Sequence, residues 1–364
     1  MDGDKEVNII YSFGYENELT HTGMIHYMCD LWNNNNKIPL ETFLKSLTGI
    51  DLLKKLNKLY AVREFDIGNR KRADLVIQDD NSTTIIAIEM KTKSLIDEEQ
   101  LKSYLTSKNL TSGTFILLIT LGLSEFNDRK SEGNNKIKQV KTQQIYDAVK
   151  AIPKNNKDLL LNQWENSLKN NLELSKIFTE KRFKEFKEKL SEMSCTINPS
   201  KYWNIYFLNY LKCEIEKDKG FNELKTTKYR NPLVYYWGAS DIILNFWWVG
   251  SGNQLKSNNN TYLEINNNAK LNLKFYFPNR KNSDEAKELN KVKSYYKKLF
   301  PKSKFRYTEK GRKGKTTTLL SFDIGLTKKK SSSGDELFSY SISKGTTVKE
   351  ILKILKRYNE GDMR

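Results

Sequence analysis

Arg72-Ala73-Asp74-Leu75-Val76-Ile77 and, after a polar turn at Asp79-Asp80-Asn81, Ile85-Ile86-Ala87-Ile88-Glu89-Met90-Lys91 form the stretch on which the fold turns. Leu75 to Ile77 and Thr83 to Met90 are apolar and rich in β-branched residues, and the acidic turn between them suits a hairpin. Antiparallel pairing sets the start of one strand beside the end of the next. Asp74 therefore comes near Glu89 and Lys91. Side chains alternate along a strand, so Glu89 and Lys91 point to the same face.

That placement has chemical content. Two carboxylates, with the carbonyl of Met90 between Glu89 and Lys91, offer oxygen ligands to a hard divalent cation such as Mg²⁺. Lys91 is placed to orient an attacking water or to stabilise charge that develops on a phosphate. Ionisable groups at the end of an apolar strand cost free energy unless something pairs with them, and a cation plus Lys91 would do so. A Glu-x-Lys triplet alone is common, and a surface hairpin with an ordinary ion pair carries it too.

Outward from the hairpin, residues 16–32 and 40–59 read as helices, with Leu40, Phe43, Leu44, Leu47, Leu53 and Leu56 at helical spacing in the second. Val62, Phe65 and Ile67 alternate as on a half-buried strand. Downstream, 97–108 reads as a helix, Thr114 to Thr120 as a strand covered on both faces, and 136–151 as a helix. Residues 123–135 form a polar loop. Helix, helix, three strands, helix, strand, helix is an α/β order, a mixed sheet flanked by helices.

The whole pattern resembles the PD-(D/E)XK nuclease superfamily: an Asp opening a strand, a hairpin, then an apolar strand ending in Glu-x-Lys. Ala73 stands where the eponymous Pro would be. Gln100-Leu101-Lys102-Ser103-Tyr104 has the Gln-x-x-x-Tyr spacing of RecB-like members, and the two ends share a helix face. Glu16-Asn17-Glu18-Leu19-Thr20 resembles the first-helix start of a branch common in bacterial restriction and defence proteins. The resemblance spans about residues 10–150. It implies a restriction-endonuclease-like sheet in which Asp74, Glu89 and the Met90 carbonyl hold Mg²⁺, with Mn²⁺ as a substitute. Glu16 would complete the metal site, with Glu18 as the alternative. Lys91 and Gln100 join the catalytic set, and Tyr104, Arg72 and Lys93 contact substrate.

At 364 residues the chain is longer than one core usually holds. The expected division is a nuclease-like domain at 1–152, a helical connector at 153–198 and an α+β domain at 199–364 for substrate or partner recognition. The stretch 155–192 reads as helical throughout and is bounded by Asn198-Pro199. The last part is aromatic and strand-prone, led by Tyr202, Trp203, Tyr206, Phe207 and Tyr210. Strands are expected at 261–265, 270–277, 304–308 and 316–323, and helices at 283–300 and 346–358. Asn-rich patches at 33–36, 258–260 and 266–268 read as turns.

A formal charge of +18 suits a polyanionic partner, as does any generally basic surface. Cys29, Cys195 and Cys213 show no paired spacing, which fits a reducing cytosol. His21 and His26 have no cysteines near them and form no zinc signature. No apolar run reaches about 18 residues and the first residues are acidic, so a cytoplasmic chain without a membrane span is expected. Gly311 to Thr316 lacks the first glycine of a phosphate loop, since Glu309 occupies that place; it reads as a basic turn. Lys328 to Ser333 reads as a loop, and the aromatics at 235–248 as core or interface.

The resemblance implies a Mg²⁺-dependent DNA endonuclease of a restriction or antiphage system. Oligomerisation or a partner defence protein would restrain it. An inactive nucleic-acid-binding relative and an RNA-cleaving enzyme are the alternatives.

Overall fold

The computed structural model describes residues 8–13, 17–54, 56–68, 70–92, 98–122, 137–193, 198–219, 221, 233–237, 241–246, 261–265, 269–276, 284–301, 316–331 and 334–362. Glu16, Lys93, Cys195, Trp247, Trp248, the loop at 123–135, the strand expected at 304–308, the turns at 258–260 and 266–268 and the basic turn at 311–315 lie outside the described residues. The chain divides into two compact units, 1–202 and 203–364.

In the first unit α1 (Ile9–Ser12), α2 (Glu18–Asn33) and α3 (Ile38–Thr48) precede β1 (Tyr60–Gly68), β2 (Lys71–Gln78) and β3 (Thr84–Lys91). Then come α4 (Glu98–Thr106), β4 (Phe115–Thr120), β5 (Ile137–Lys141), α5 (Thr142–Lys150), α6 (Leu159–Thr179) and α7 (Phe183–Glu192). The five strands make one mixed sheet in order β1-β2-β3-β4-β5. The first two pairings are antiparallel and the last two parallel. This is the mixed sheet flanked by helices expected from the element order, and the restriction-endonuclease-like architecture implied by the resemblance.

Local chemistry sets these elements. The β2–β3 turn is held by Asp79, whose Oδ1 accepts from the backbone N of Asn81 (3.0 Å) and of Thr83 (2.8 Å). β3 and β4 are parallel, which requires a crossover, and α4 lies in it. Ile86, Ile88 and Met90 of β3 are fully buried, each worth roughly 1.5–3 kcal/mol. That burial fixes the register, because a slip of one residue would turn Glu89 to the opposite face. On the face of Ala87 and Glu89, α4 packs Leu101 and Tyr104 against Val76, Ala87, Ile116 and Leu118.

Several sequence expectations are corrected here. The helix expected at 40–59 stops at Thr48, because Gly49 takes a left-handed φ of 78° and caps it. The helix expected at 136–151 begins instead as β5; Ile137 and Val140, three apart, imitate helical spacing. The stretch 153–198 holds two helices, and α6 packs on α1, α2 and α5 within the first unit. Asp158 caps α6 by accepting from Leu161 N at 3.1 Å and also takes a hydrogen bond from the Tyr27 hydroxyl of α2. Trp164, fully buried, donates to His21 Nδ1 at 3.0 Å.

The second unit has an antiparallel sheet in order β10-β9-β8-β7-β6. Its strands are β6 (Leu233–Trp237), β7 (Asp241–Phe246), β8 (Thr261–Ile265), β9 (Leu271–Tyr276) and β10 (Thr316–Phe322). A hairpin of β11 (Leu326–Lys330) and β12 (Glu336–Tyr340) takes up Lys328 to Lys330, which the sequence placed in a loop. Tyr202 to Tyr210, read as strand-prone, lie on α8 (Pro199–Lys217). Tyr206, Phe207 and Leu208 are buried consecutively, so the segment lacks the one-sided pattern by which a helix is recognised. Asn204 of α8 makes two hydrogen bonds to the β12 backbone, at Glu336 O (3.0 Å) and Phe338 N (2.8 Å). Helices α9 (Asp284–Leu299) and α10 (Lys344–Asp362) complete the unit.

Candidate active site

Asp74 lies on β2 one residue before Leu75, which pairs with Ile88 of β3, so Asp74 and Glu89 are cross-strand neighbours. The backbone N of Met90 donates to Asp74 Oδ2 at 2.6 Å. Glu89 is 1% exposed, and both its oxygens are engaged. Lys91 Nζ donates to Oε1, and the Tyr104 hydroxyl donates to Oε2 at 2.5 Å. Glu18, in the first turn of α2, reaches the end of β3 and accepts from the backbone N of Thr92 at 3.2 Å.

This puts the Glu18, Asp74 and Glu89 carboxylates around one lysine. Burial and the neighbouring Glu89 push the Asp74 carboxyl up to about 7, with Glu18 adding to the rise. Burial raises Glu89 too, against the lowering effect of Lys91 and Tyr104. Burial pulls the Lys91 ammonium down, but Glu89, Glu18 and Asp74 outweigh it and hold it above its usual value. The Tyr104 hydroxyl is raised by burial and by Glu89, so it stays protonated as a donor. The cluster is short of positive charge, and a carboxyl that titrates near neutrality is the sign of it.

A family model for the PD-(D/E)XK nuclease superfamily matches residues 7–179. Residues 7–179 belong to that superfamily. Comparison with curated proteins found no match, and neither did comparison with solved structures. The superfamily match ends where α6 ends, at Thr179, so the nuclease fold includes the helix that packs on α1, α2 and α5.

Asp74, Glu89 and Lys91, the acid–acid–lysine set expected from the sequence, thus lie together at one end of the sheet. Tyr104 is 2% exposed and holds Glu89 from below, which is a different position from the substrate-contacting one expected. Gln100, one turn earlier, has its amide 3.5 Å from the carbonyl of Arg72. The Arg72 side chain is 67% exposed, with Glu64 at 3.9 Å. His21 is sealed inside against Trp164, and His26 sits 3.3 Å from Asp30.

Sequence reasoning set Glu18 second to Glu16. The signal that favours Glu18 was present in Asn17, whose side chain accepts from Leu19 N at 3.1 Å and caps the helix, so that Glu18 begins it. It also missed the row that continues from Lys91 to Thr120 and Lys141 in adjacent strands. Gln139 reaches into that row and donates to Thr120 Oγ1 at 3.1 Å.

Among the described residues no three His, Cys, Asp and Glu side chains form a ready-made metal cluster. The donor set nevertheless fits a hard cation in its chemistry. It consists of carboxylates and a backbone carbonyl, it exceeds its cations in charge, and the Asp74 carboxyl is raised to about 7, where a cation would compete with the proton.

Proposed function

We propose that this chain is a metal-dependent nuclease hydrolysing DNA phosphodiester bonds, an endonuclease of a bacterial restriction or antiphage defence system. The observation that carries it is the convergence of Asp74, Glu89, Lys91 and Glu18 at the end of β3, with Asp74 raised to about 7. Glu18, Asp74, Glu89 and the Met90 carbonyl would hold Mg²⁺ or Mn²⁺. When bound, the ion supplies Lewis acidity at the phosphate and a more acidic water.

The chain's own residues do the rest. Lys91 keeps its proton at neutral pH, so it acts as a donor and a charge toward the attacking water or the phosphate. Tyr104 fixes the Glu89 carboxylate. Arg72, exposed beside Gln100, is placed to contact a phosphate. Glu16 and Lys93 remain expected contributors on the resemblance. The charge of +18 favours a nucleic acid, and DNA is the substrate suggested by the restriction and defence branch. The second unit serves substrate or partner recognition, and an oligomer or partner protein restrains the activity in the cytoplasm.

The test is cutting of supercoiled and linear DNA, with and without Mg²⁺ or Mn²⁺, beside Glu89→Gln and Lys91→Ala. Metal-dependent cutting that both substitutions abolish is expected. Cutting that survives both would place the chemistry elsewhere, and cutting confined to RNA would correct the substrate.

A further inference from the structure

Helix α9 buries one face and leaves another uncovered. Leu289, Val292 and Tyr296 are sealed against the second unit's core. Tyr296 stacks on Tyr358 of α10 at 5.8 Å between ring centroids, and its hydroxyl lies 3.0 Å from Thr261 Oγ1 of β8. The opposite face presents Lys287, Asn290, Lys291, Ser294, Tyr295 and Lys298, three and four residues apart. They line a shallow cleft of ≈ 460 Å³. All are exposed except Tyr295, which is half-buried. These positions carry three lysines and no acid, and among the described residues no ion pair engages those lysines.

We propose that this face of α9 binds the sugar–phosphate backbone of the nucleic acid on which the active site works. The proposal rests on the nuclease reading above. Three ammonium groups on one helix face repel each other unless an anion lies among them, and a polyanion that gives up its counterions relieves the repulsion. The spacing suits a strand. Lys287 and Lys291 are about 6 Å apart along the axis and Lys291 and Lys298 about 10.5 Å, at 1.5 Å of rise per residue. The ridge of about 16 Å thus spans about five nucleotides of a duplex strand. Asn290, Ser294 and the Tyr295 hydroxyl lie between the lysines as neutral donors to phosphate oxygens.

The experiment is the affinity of full-length protein for a labelled duplex, in chelator so that nothing is cut, across a salt series. Replacing Lys287, Lys291 and Lys298 together by Ala is expected to flatten the dependence of log affinity on log salt by about 3, roughly one per phosphate contact. Replacing Lys349, Lys353 and Lys356, exposed on α10, removes the same charge and is expected to leave the slope unchanged. An unchanged slope in the α9 variant, or equal flattening in both, overturns the proposal. If the Ala triple melts below the wild type, the Gln triple replaces it. Cutting of plasmid with Mg²⁺ is scored separately. Failure there with the α9 effect intact refutes the nuclease reading alone, and the converse refutes this proposal alone.

Discussion

Asp74→Asn should make the metal-free protein more stable, by a margin that metal narrows. Burial and Glu89 push the Asp74 carboxyl from 3.8 up to about 7. Between those values the folded chain holds a proton that the unfolded chain has lost. Stability therefore falls as pH rises from about 4 to about 7, and the full penalty persists above that. At about 1.36 kcal/mol per pH unit over roughly three units, the penalty is on the order of 4 kcal/mol. Asn keeps an oxygen to accept from Met90 N and drops the charge. In chelator at pH 8 the variant should exceed the wild type by up to that amount, and near pH 4 the two should coincide. Mg²⁺ should narrow the gap, because binding at 100 times Kd adds about 2.7 kcal/mol to the wild type alone, and at 1,000 times Kd about 4.1 kcal/mol, enough to close it. Urea denaturation at pH 4, 6 and 8, with chelator or Mg²⁺, reads all of this. A variant less stable than wild type at pH 8 in chelator, or a gap that ignores pH, would refute the reasoning.

Tyr104→Phe removes the donor to Glu89 Oε2 from a site that is 2% exposed. A hydrogen bond to a charged group is worth about 1.5–3 kcal/mol, so unfolding in urea should show a loss of that size. The Glu89 carboxyl should rise further, moving the acid limb of the cutting–pH profile to higher pH; a limb that stays in place contradicts the assignment. Glu18→Gln retains an oxygen for Thr92 N while removing a charge from the cluster. Calorimetric titration with Mg²⁺ should show affinity at least about tenfold weaker, the scale set by losing an outer-shell partner. Equal affinity would remove Glu18 from the metal site.

The β2–β3 hairpin was legible because a strand's period of two and an acidic turn fix which residues meet, and β2 and β3 carry both signals without interference. β4 was legible for a similar reason, since a strand with five consecutive buried residues, Ile116 to Thr120, has few alternatives. What failed was spacing that serves two periods. Ile137 and Val140 fit a helix as well as a five-residue strand, and parallel pairing to β4 decides for the strand. Tyr202 to Leu211 failed differently. Aromatic residues favour strands by propensity, but burial nearly all round allows a helix, and the packing partners that decide it are far away in sequence. Glu18 sits between these cases. The sequence named it as the alternative to Glu16, and the Asn17 cap is the local signal that starts the helix at Glu18.

The hydrogen bonds from α6 to the N-terminal helices have a consequence for when the enzyme comes into being. Ile9 N donates to Gln163 at 2.9 Å, Tyr11 receives a hydrogen bond from Asn170, and Trp164 holds His21 on the helix that carries Glu18. The helices α1 and α2 thus find their fixed seats only on a helix made 143–159 residues later. At about 5–20 residues per second, roughly 7–30 seconds separate the two events. During that interval Asp74, Glu89 and Lys91 are already in the chain while the helix bearing Glu18 lacks its anchor. The helix that carries Glu18 is thus seated only as α6 docks, late in the making of this unit.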